Sequence, residues 1–360
     1  MIKSLKEISW QVDEPTYRAD DALSYSTLAK YEREGKFNSL PKLFDRVSTP
    51  SLTFGSMVDT LITGTKEEFD NLFMVVDFPA ISDSLVEIAT TLYNKYSKHP
   101  DNIFEDYYER FEDIPESILA TVGKECNFYA NDKYASYRAK IIKEGCKEYF
   151  NLLKLSEGKV IVDNDTADKA YKAVEALKTS NATKFYFKDD SPLEPNIERY
   201  YQLKFKATDS IGLVNYRCMA DLIIVDHATK TIQPIDLKTS SHAEWDFYKS
   251  FMDWRYDIQA RLYYRIIQSN CAKDDYFKDF EILDYKFIVV NKSTLTPLVW
   301  TYPHTQVQGT LKYSLNSGYM FTLRDPYEIG KELNYYLCHP DVKVPRDIGD
   351  DNNIVEFITK

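Results

Sequence analysis

The chain is predicted to be an α+β protein, a mixed α/β sheet flanked by helices with a helical N-terminal half. Apolar residues recur at helical spacing through much of residues 26–178, while β-branched runs are scarce there. After about residue 195 the period changes to the alternation of strands. From there the elements read β-β-β-α-β, an order that fits a mixed sheet with a helix laid on it.

Residues 1–25 show little periodicity and read as a leader. Ser24 or Ser26 is a candidate cap for a short helix starting near residue 26. Pro41 and Pro50 bracket a connector. In SLTFGSMVDTLITG, Met57, Leu61 and Ile62 repeat at helical spacing between Gly55 and Gly64, which predicts a short buried helix. LVEIATTLYNKYSKH, SILATVGKECNFYA and ASYRAKIIKEGCKEYFNLL read as amphipathic helices. A further helix over 164–178 is expected, capped by Asn164 or Asp165. ERYYQLKF, LVNYRCMADLIIVD and TIQPIDLKTS then form an expected three-stranded meander, with HATK as a tight turn. The stretch WDFYKSFMDWRYDIQARLYYRIIQ is predicted helical, LDYKFIVVNKS a strand and EIGKELNYYLCH a helix. The expected organisation is a helical leader (1–50), a first core helix (51–65), a helical insertion or wall (66–195), a core sheet with its helix (196–300), and a C-terminal helix with a tail (301–360).

The chain's 360 residues can bury a sizeable core. A formal net charge of -11 argues against a protein that coats nucleic acid non-specifically, so any such surface must be local. The 28 Tyr and 20 Phe serve mostly as packing material, although tyrosine also stacks on nucleobases. The five cysteines are scattered with no close pair, which predicts reduced thiols in a cytosolic protein rather than zinc or an iron–sulfur cluster. No signal-peptide run and no stretch of membrane-span length are read, so no membrane role is expected. No glycine-rich Walker loop is present, and ATP-driven unwinding is not encoded.

Residues 217–238, RCMADLIIVDHATKTIQPIDLK, carry the chemistry. Asp236 and Lys238 are two apart on a strand and share a face. Alone, such a pair usually marks a solvated face with a weak ion pair. Here Asp221 stands one hairpin earlier among Met219, Ala220, Leu222 and Ile223. It reaches the same end of that face only in one register, which the sequence leaves open. Two carboxylates can hold one or two Mg²⁺ ions, and a neighbouring ammonium can orient water or share developing charge. Arg217, four residues before Asp221, is placed to touch a phosphate or to act as an ordinary salt-bridge partner. Lys249, Arg255 and Tyr256 suit a basic-aromatic edge or a partly solvated helix face. Glu198, on the preceding strand, is a further acidic candidate.

Four elements stand in order. They are Phe54-Gly55-Ser56-Met57-Val58-Asp59, then Asp221, then Asp236-Leu237-Lys238 followed by Thr239, and then Gln259-Ala260-Arg261-Leu262-Tyr263 on the next helix. In this order they resemble the RecB-type branch of the PD-(D/E)XK nuclease superfamily, and within it the RecE-like exonucleases of phages and prophages. The anchored motifs cover residues 54–64 and 217–263, and a looser similarity of layout spans about 24–290. The resemblance implies a restriction-endonuclease-like core and a metal-dependent exodeoxyribonuclease acting on duplex DNA ends in recombination or repair. It implies Mg²⁺ or Mn²⁺ held by Asp221 and Asp236, Lys238 positioning the nucleophilic water, and Gln259 and Tyr263 supporting the scissile strand. DNA contacts are then expected from Arg217, Arg255, Tyr256, Gln259 and Tyr263. Asp59 stands where the family usually has a metal-binding His, so Asp59 is either a substitute third ligand or a helix residue in a subgroup that lost it. The cysteines do not match the iron–sulfur pattern of some relatives, so no cluster is expected. A single-strand annealing partner, a homo-oligomeric ring and a location in the cytoplasm (the host's, for a phage-encoded chain) also follow from the resemblance. The alternatives are a non-catalytic DNA-binding or assembly protein on the same fold, and an endonuclease.

Overall fold

Short capped helices open the chain. A computed structural model describes residues 2–34, 40–44, 50–78, 81–98, 107–188, 194–209, 212–314 and 320–339. Asp13 caps α1 (Glu14–Ala19) and Ser24 caps α2 (Tyr25–Arg33), each side chain accepting from a backbone N–H of the first turn. The buried helix expected around Gly55 is α3 (Pro50–Thr63). The chain divides into two compact units, Met1–Gly55 with Lys172–Lys360, and Ser56–Tyr171. The first boundary falls inside α3. The last turns of the helix Asn164–Thr179, and the described residues after it, group with the sheet.

The second unit holds α4 (Lys66–Leu72), β1 (Phe73–Val75), α5 (Asp83–Tyr96), α6 (Glu116–Glu125), α7 (Ala135–Gly145), α8 (Lys147–Leu155) and β2 (Val160–Val162). β1 and β2, which no alternation announces, pair in parallel. Its helices bury Ile88, Leu92, Val122, Ile142 and Phe150 in a core of their own. Gly123 lets α6 approach α7, since a Cβ there would lie 2.6 Å from the Ile142 side chain. The single helix expected over ASYRAKIIKEGCKEYFNLL is two, α7 and α8, parting at Cys146. α9 (Asn164–Thr179) runs across the second boundary. Its cap is Asp163, whose carboxylate accepts from Thr166 N at 2.7 Å, rather than Asn164 or Asp165.

The first unit is built on a mixed sheet of order β3-β4-β5-β7-β8, with the short β6 also pairing β5. β3 (Ile197–Thr208), β4 (Asn215–Asp226) and β5 (Thr231–Ser240) form the predicted antiparallel meander. The long helical stretch that follows is broken into α10 (Phe247–Asp253) and α11 (Tyr256–Cys271). The break is at Arg255, whose φ of +55° is left-handed and ends helical continuity. After β6 (Glu281–Ile282), β7 (Tyr285–Asn291) lies parallel to β5, and a parallel pair requires a crossover, which α11 supplies. β8 (Pro297–Tyr302) is an edge strand with proline at its first position, where no ladder N–H is needed. β9 (Leu311–Ser314) and β10 (Met320–Leu323) form a hairpin before α12 (Pro326–Cys338). Neither β8 nor this hairpin was expected from alternation. Among the described residues no helix is long and apolar enough to cross a membrane.

α11 contacts β3, β4 and β7 as well as α2 and α12, so it is buried almost all round. Ile258, Leu262 and Ile266 join the sheet's core. Its charged residues are therefore buried too. Arg261, fully buried, donates to the carbonyls of Gly309 and Arg324 and stands 3.9 Å from Asp257 and 3.8 Å from Asp325. Replacing Arg261 by Leu leaves the Gly309 and Arg324 carbonyls without their donor, and is expected to lower stability by about 1–3 kcal/mol. Urea unfolding of the variant measures this.

Candidate active site

The β4–β5 ladder runs from Asp226 opposite Thr231 to Leu222 opposite Ile235 and stops there. One rung further would set Asp221 across from Asp236. Instead the strands part, and Asp221 Oδ2 accepts from the backbone N–H of Leu237 at 2.8 Å. A carboxylate has taken the place of a ladder carbonyl, between Asp236 and Lys238. This position is prepared from the other side. The β3–β4 rung between Tyr201–Leu222 and Leu203–Ala220 is missing. Gln202, which would fill it opposite Asp221, has φ +54°. The core-facing residues change phase at this point in both strands. They run Tyr216, Cys218, Ala220 and then Ile223, Val225 in β4, and Phe205, Leu203 and then Tyr200 in β3. A non-glycine residue held left-handed costs about 1–3 kcal/mol, strain of the kind that gathers at functional sites.

Asp236 is 1% exposed. Its Oδ1 accepts from Gln259 Nε2, and its Oδ2 forms an ion pair with Lys238 Nζ that leaves no aligned hydrogen bond on that oxygen. Burial works against the Lys238 charge, but Asp236 first, then Tyr256 and Asp221, outweigh it and hold the ammonium above its ordinary pKa. At neutral pH Lys238 is therefore a cation and not a base. Its Nζ also sits 5.0 Å from the ring centroid of Tyr256, which stacks on Phe287 at 5.5 Å.

Gln259 and Tyr263 are one turn apart on α11 and face the carboxylates together. Tyr263 meets Tyr285 edge-on at 6.3 Å. Burial, with the nearby carboxylates adding to it, pushes both phenols well above their ordinary range, so both stay protonated. Tyr285 was not picked out from the sequence. Within LDYKFIVVNKS it reads as one more strand aromatic, two residues before Phe287, which the β5–β7 register pairs with Asp236.

A cleft of about 370 Å³ opens at the C-terminal end of β5, lined by Thr239, Ser240, Ser241 and His242, with Trp254, Tyr256, Arg33 and Lys292 among its walls. Because β5 and β7 are parallel, Ser240 pairs with Asn291 and brings Lys292 to the same edge. Arg33 lies 4.3 Å over the Trp254 ring, and Tyr25 fixes Trp254 by donating to its carbonyl at 2.7 Å. Neither cation carried a sequence signal. Gly55 in α3 has its place here too, since a Cβ on it would come within 3.3 Å of Thr239 Oγ1.

Other expected residues are engaged elsewhere. Arg217 donates to the Asp20 carbonyl and lies 5.1 Å over Tyr17, tying the N-terminal segment to β4. Arg255 is held by Asp257 at 2.9 Å and Glu32 at 3.4 Å. Lys249 pairs with Asp246 at 3.0 Å. Glu198 bonds His227 at 2.8 Å, near the hairpin end of the sheet. Asp59, half-buried in α3, belongs to the second unit.

The site's chemistry fits a hard divalent cation. Its donors are carboxylate oxygens, and both Asp236 Oδ2 and Gln259 Oε1 are buried without a hydrogen-bond partner. Among the described residues no group of three His, Cys, Asp or Glu is gathered that could hold a metal. Asp221 and Asp236 are thus a two-carboxylate set, of the kind that suits Mg²⁺, which keeps waters and substrate oxygens in its remaining positions. The chain matches no family model and no curated protein.

Replacing Lys238 by Met leaves two carboxylates without their cation and is expected to cost about 3–5 kcal/mol at pH 7. The folded chain holds the Lys238 proton more tightly than the unfolded chain. The contribution is therefore complete below pH of about 10 and fades as pH rises beyond it. Unfolding of both proteins at pH 7 and pH 10.5 checks the size and the direction.

Proposed function

We propose that the chain is a metal-dependent deoxyribonuclease with a PD-(D/E)XK-type core, acting as an exonuclease on duplex DNA ends. One observation carries the reading. The Asp221 carboxylate, bonded to Leu237 N–H, stands beside Asp236 and Lys238, the three groups the resemblance requires together. The antiparallel meander, the crossover helix with Gln259 and Tyr263, and the parallel strand after it support the same reading.

A bound Mg²⁺ or Mn²⁺ supplies Lewis acidity and lowers the pKa of a coordinated water. Asp221 and Asp236 would hold it, and the resemblance alone names Asp59 as a third ligand. Gln259 fixes the Asp236 carboxylate. Lys238 stays charged and presents its ammonium to the attacking water and to the charge that grows on the phosphate. The hydroxyls of Thr239, Ser240 and Ser241, with Arg33 and Lys292, form a local surface for the strand's phosphates on an otherwise acidic chain. Product release into recombination, an annealing partner and a ring assembly belong to the proposal through the resemblance.

Asp59 in place of the family's His, and the net charge of -11, leave room for the rival, a DNA-binding or assembly protein without catalysis. End-labelled linear duplex and closed circular duplex, each with Mg²⁺ or Mn²⁺, separate the readings. Linear DNA is expected to be degraded and circular DNA spared. Asp236→Ala and Lys238→Ala are each expected to lower the rate at least about 10²–10³-fold. Binding without cleavage by the wild type selects the rival, and cleavage of the circle selects an endonuclease.

A further inference from the structure

The Tyr285 hydroxyl is fully buried and has no hydrogen-bond partner. Its ring meets Tyr263 edge-on at 6.3 Å, and the charges of Asp236 and Asp221 help to keep the phenol protonated. Two more buried atoms without hydrogen-bond partners, Asp236 Oδ2 and Gln259 Oε1, lie at the same carboxylate. A buried hydroxyl left without a partner costs about 1–3 kcal/mol, so a core position is better filled by phenylalanine unless the oxygen has a task. Phe287, 5.2 Å away on the same strand, is apolar and offers it no partner.

We propose that Tyr285 is a positioning residue, whose hydroxyl, without a partner in this structure, donates to the Asp221–Asp236 pair once a divalent cation is bound and steadies the two carboxylates around it. This rests on the nuclease reading and deepens it. Gln259 already holds Asp236 from α11, and Leu237 N–H holds Asp221 from β5. The Tyr285 hydroxyl, still without a partner on β7, is the donor left to complete this support when a cation is bound. Groups that orient metal-binding carboxylates in this way commonly change metal affinity about 10–100-fold when removed.

Tyr285→Phe deletes one oxygen and leaves the ring packing intact. Its thermal unfolding without metal is expected to match or exceed the wild type, because an unpaired polar atom has been removed. Its Kd for Mn²⁺ by titration calorimetry is expected to rise about tenfold or more. A purely structural tyrosine would leave that Kd unmoved. A Kd within twofold of wild type, while Asp236→Ala loses binding, overturns the proposal and spares the nuclease reading. A variant that unfolds or melts well below wild type assigns the hydroxyl to the fold, and also overturns it. If the wild type itself binds no Mn²⁺, the nuclease reading falls and this proposal falls with it.

Discussion

The hydrogen bond from Leu237 N–H to the Asp221 carboxylate organises the rest of the site. It satisfies a backbone donor that the parted β4 and β5 strands would otherwise leave bare, in a region where water is scarce. In doing so it holds an acidic side chain beside a second carboxylate. A buried anion and a half-buried one in proximity repel, and the Lys238 cation is what makes the arrangement tolerable. The fold thus maintains a charge cluster whose members lean on one another, and a divalent cation is the kind of ligand such a cluster is suited to take.

The missing rung at Gln202 and Asp221 shows how a sheet accommodates this. A regular antiparallel pair alternates faces without exception, so Ala220 and Asp221 cannot both turn toward α11. A local change of phase in β3 and β4 lets Ala220 and Ile223 both serve the core while the side chain between them is redirected. Irregularities of this sort re-aim single side chains next to active sites. The strain at Gln202 is borne by the surrounding sheet, where Tyr200, Leu203 and Phe205 are buried on one side of the same strand.

Much of this was legible in the residues and some was not, for physical reasons. The meander, the helix after it and the same-face placement of Asp236 and Lys238 follow from period and turn chemistry, which are local. The convergence of Asp221 depended on register, and register is a pairing between strands. The same holds for Lys292 and Tyr285, which flank the two ends of the parallel β5–β7 ladder. β8 was missed because an edge strand with one side open has weak alternation. The break between α10 and α11 was missed because Arg255 adopts a conformation that its residue type rarely takes, held there by Asp257 and Glu32. The expected cap of α9 was one residue off, which is a limit set by how easily Asp163, Asn164 and Asp165 exchange that role.

The fate of the basic residues bears on what the site can recognise. Arg217, Arg255 and Lys249 are each drawn to carboxylates or carbonyls of the chain itself. On a chain of net charge -11 this is the expected outcome, since acidic neighbours outnumber basic ones almost everywhere. Cations at the mouth of the β5 cleft are therefore selective in effect. Arg33 sits on an aromatic ring, which weakly satisfies its charge and leaves its N–H donors available to other partners. Lys292 is partly desolvated, and burial lowers its pKa. An anion that enters the cleft meets two cations there, with Asp253 as a counterweight in the same lining. The net negative charge works in the same direction, because it discourages polyanions from binding where no local cations are offered. For the proposed nuclease, recognition of the DNA backbone would then be confined to the few phosphates nearest Lys238, and the acidic body would contribute to selectivity by repulsion.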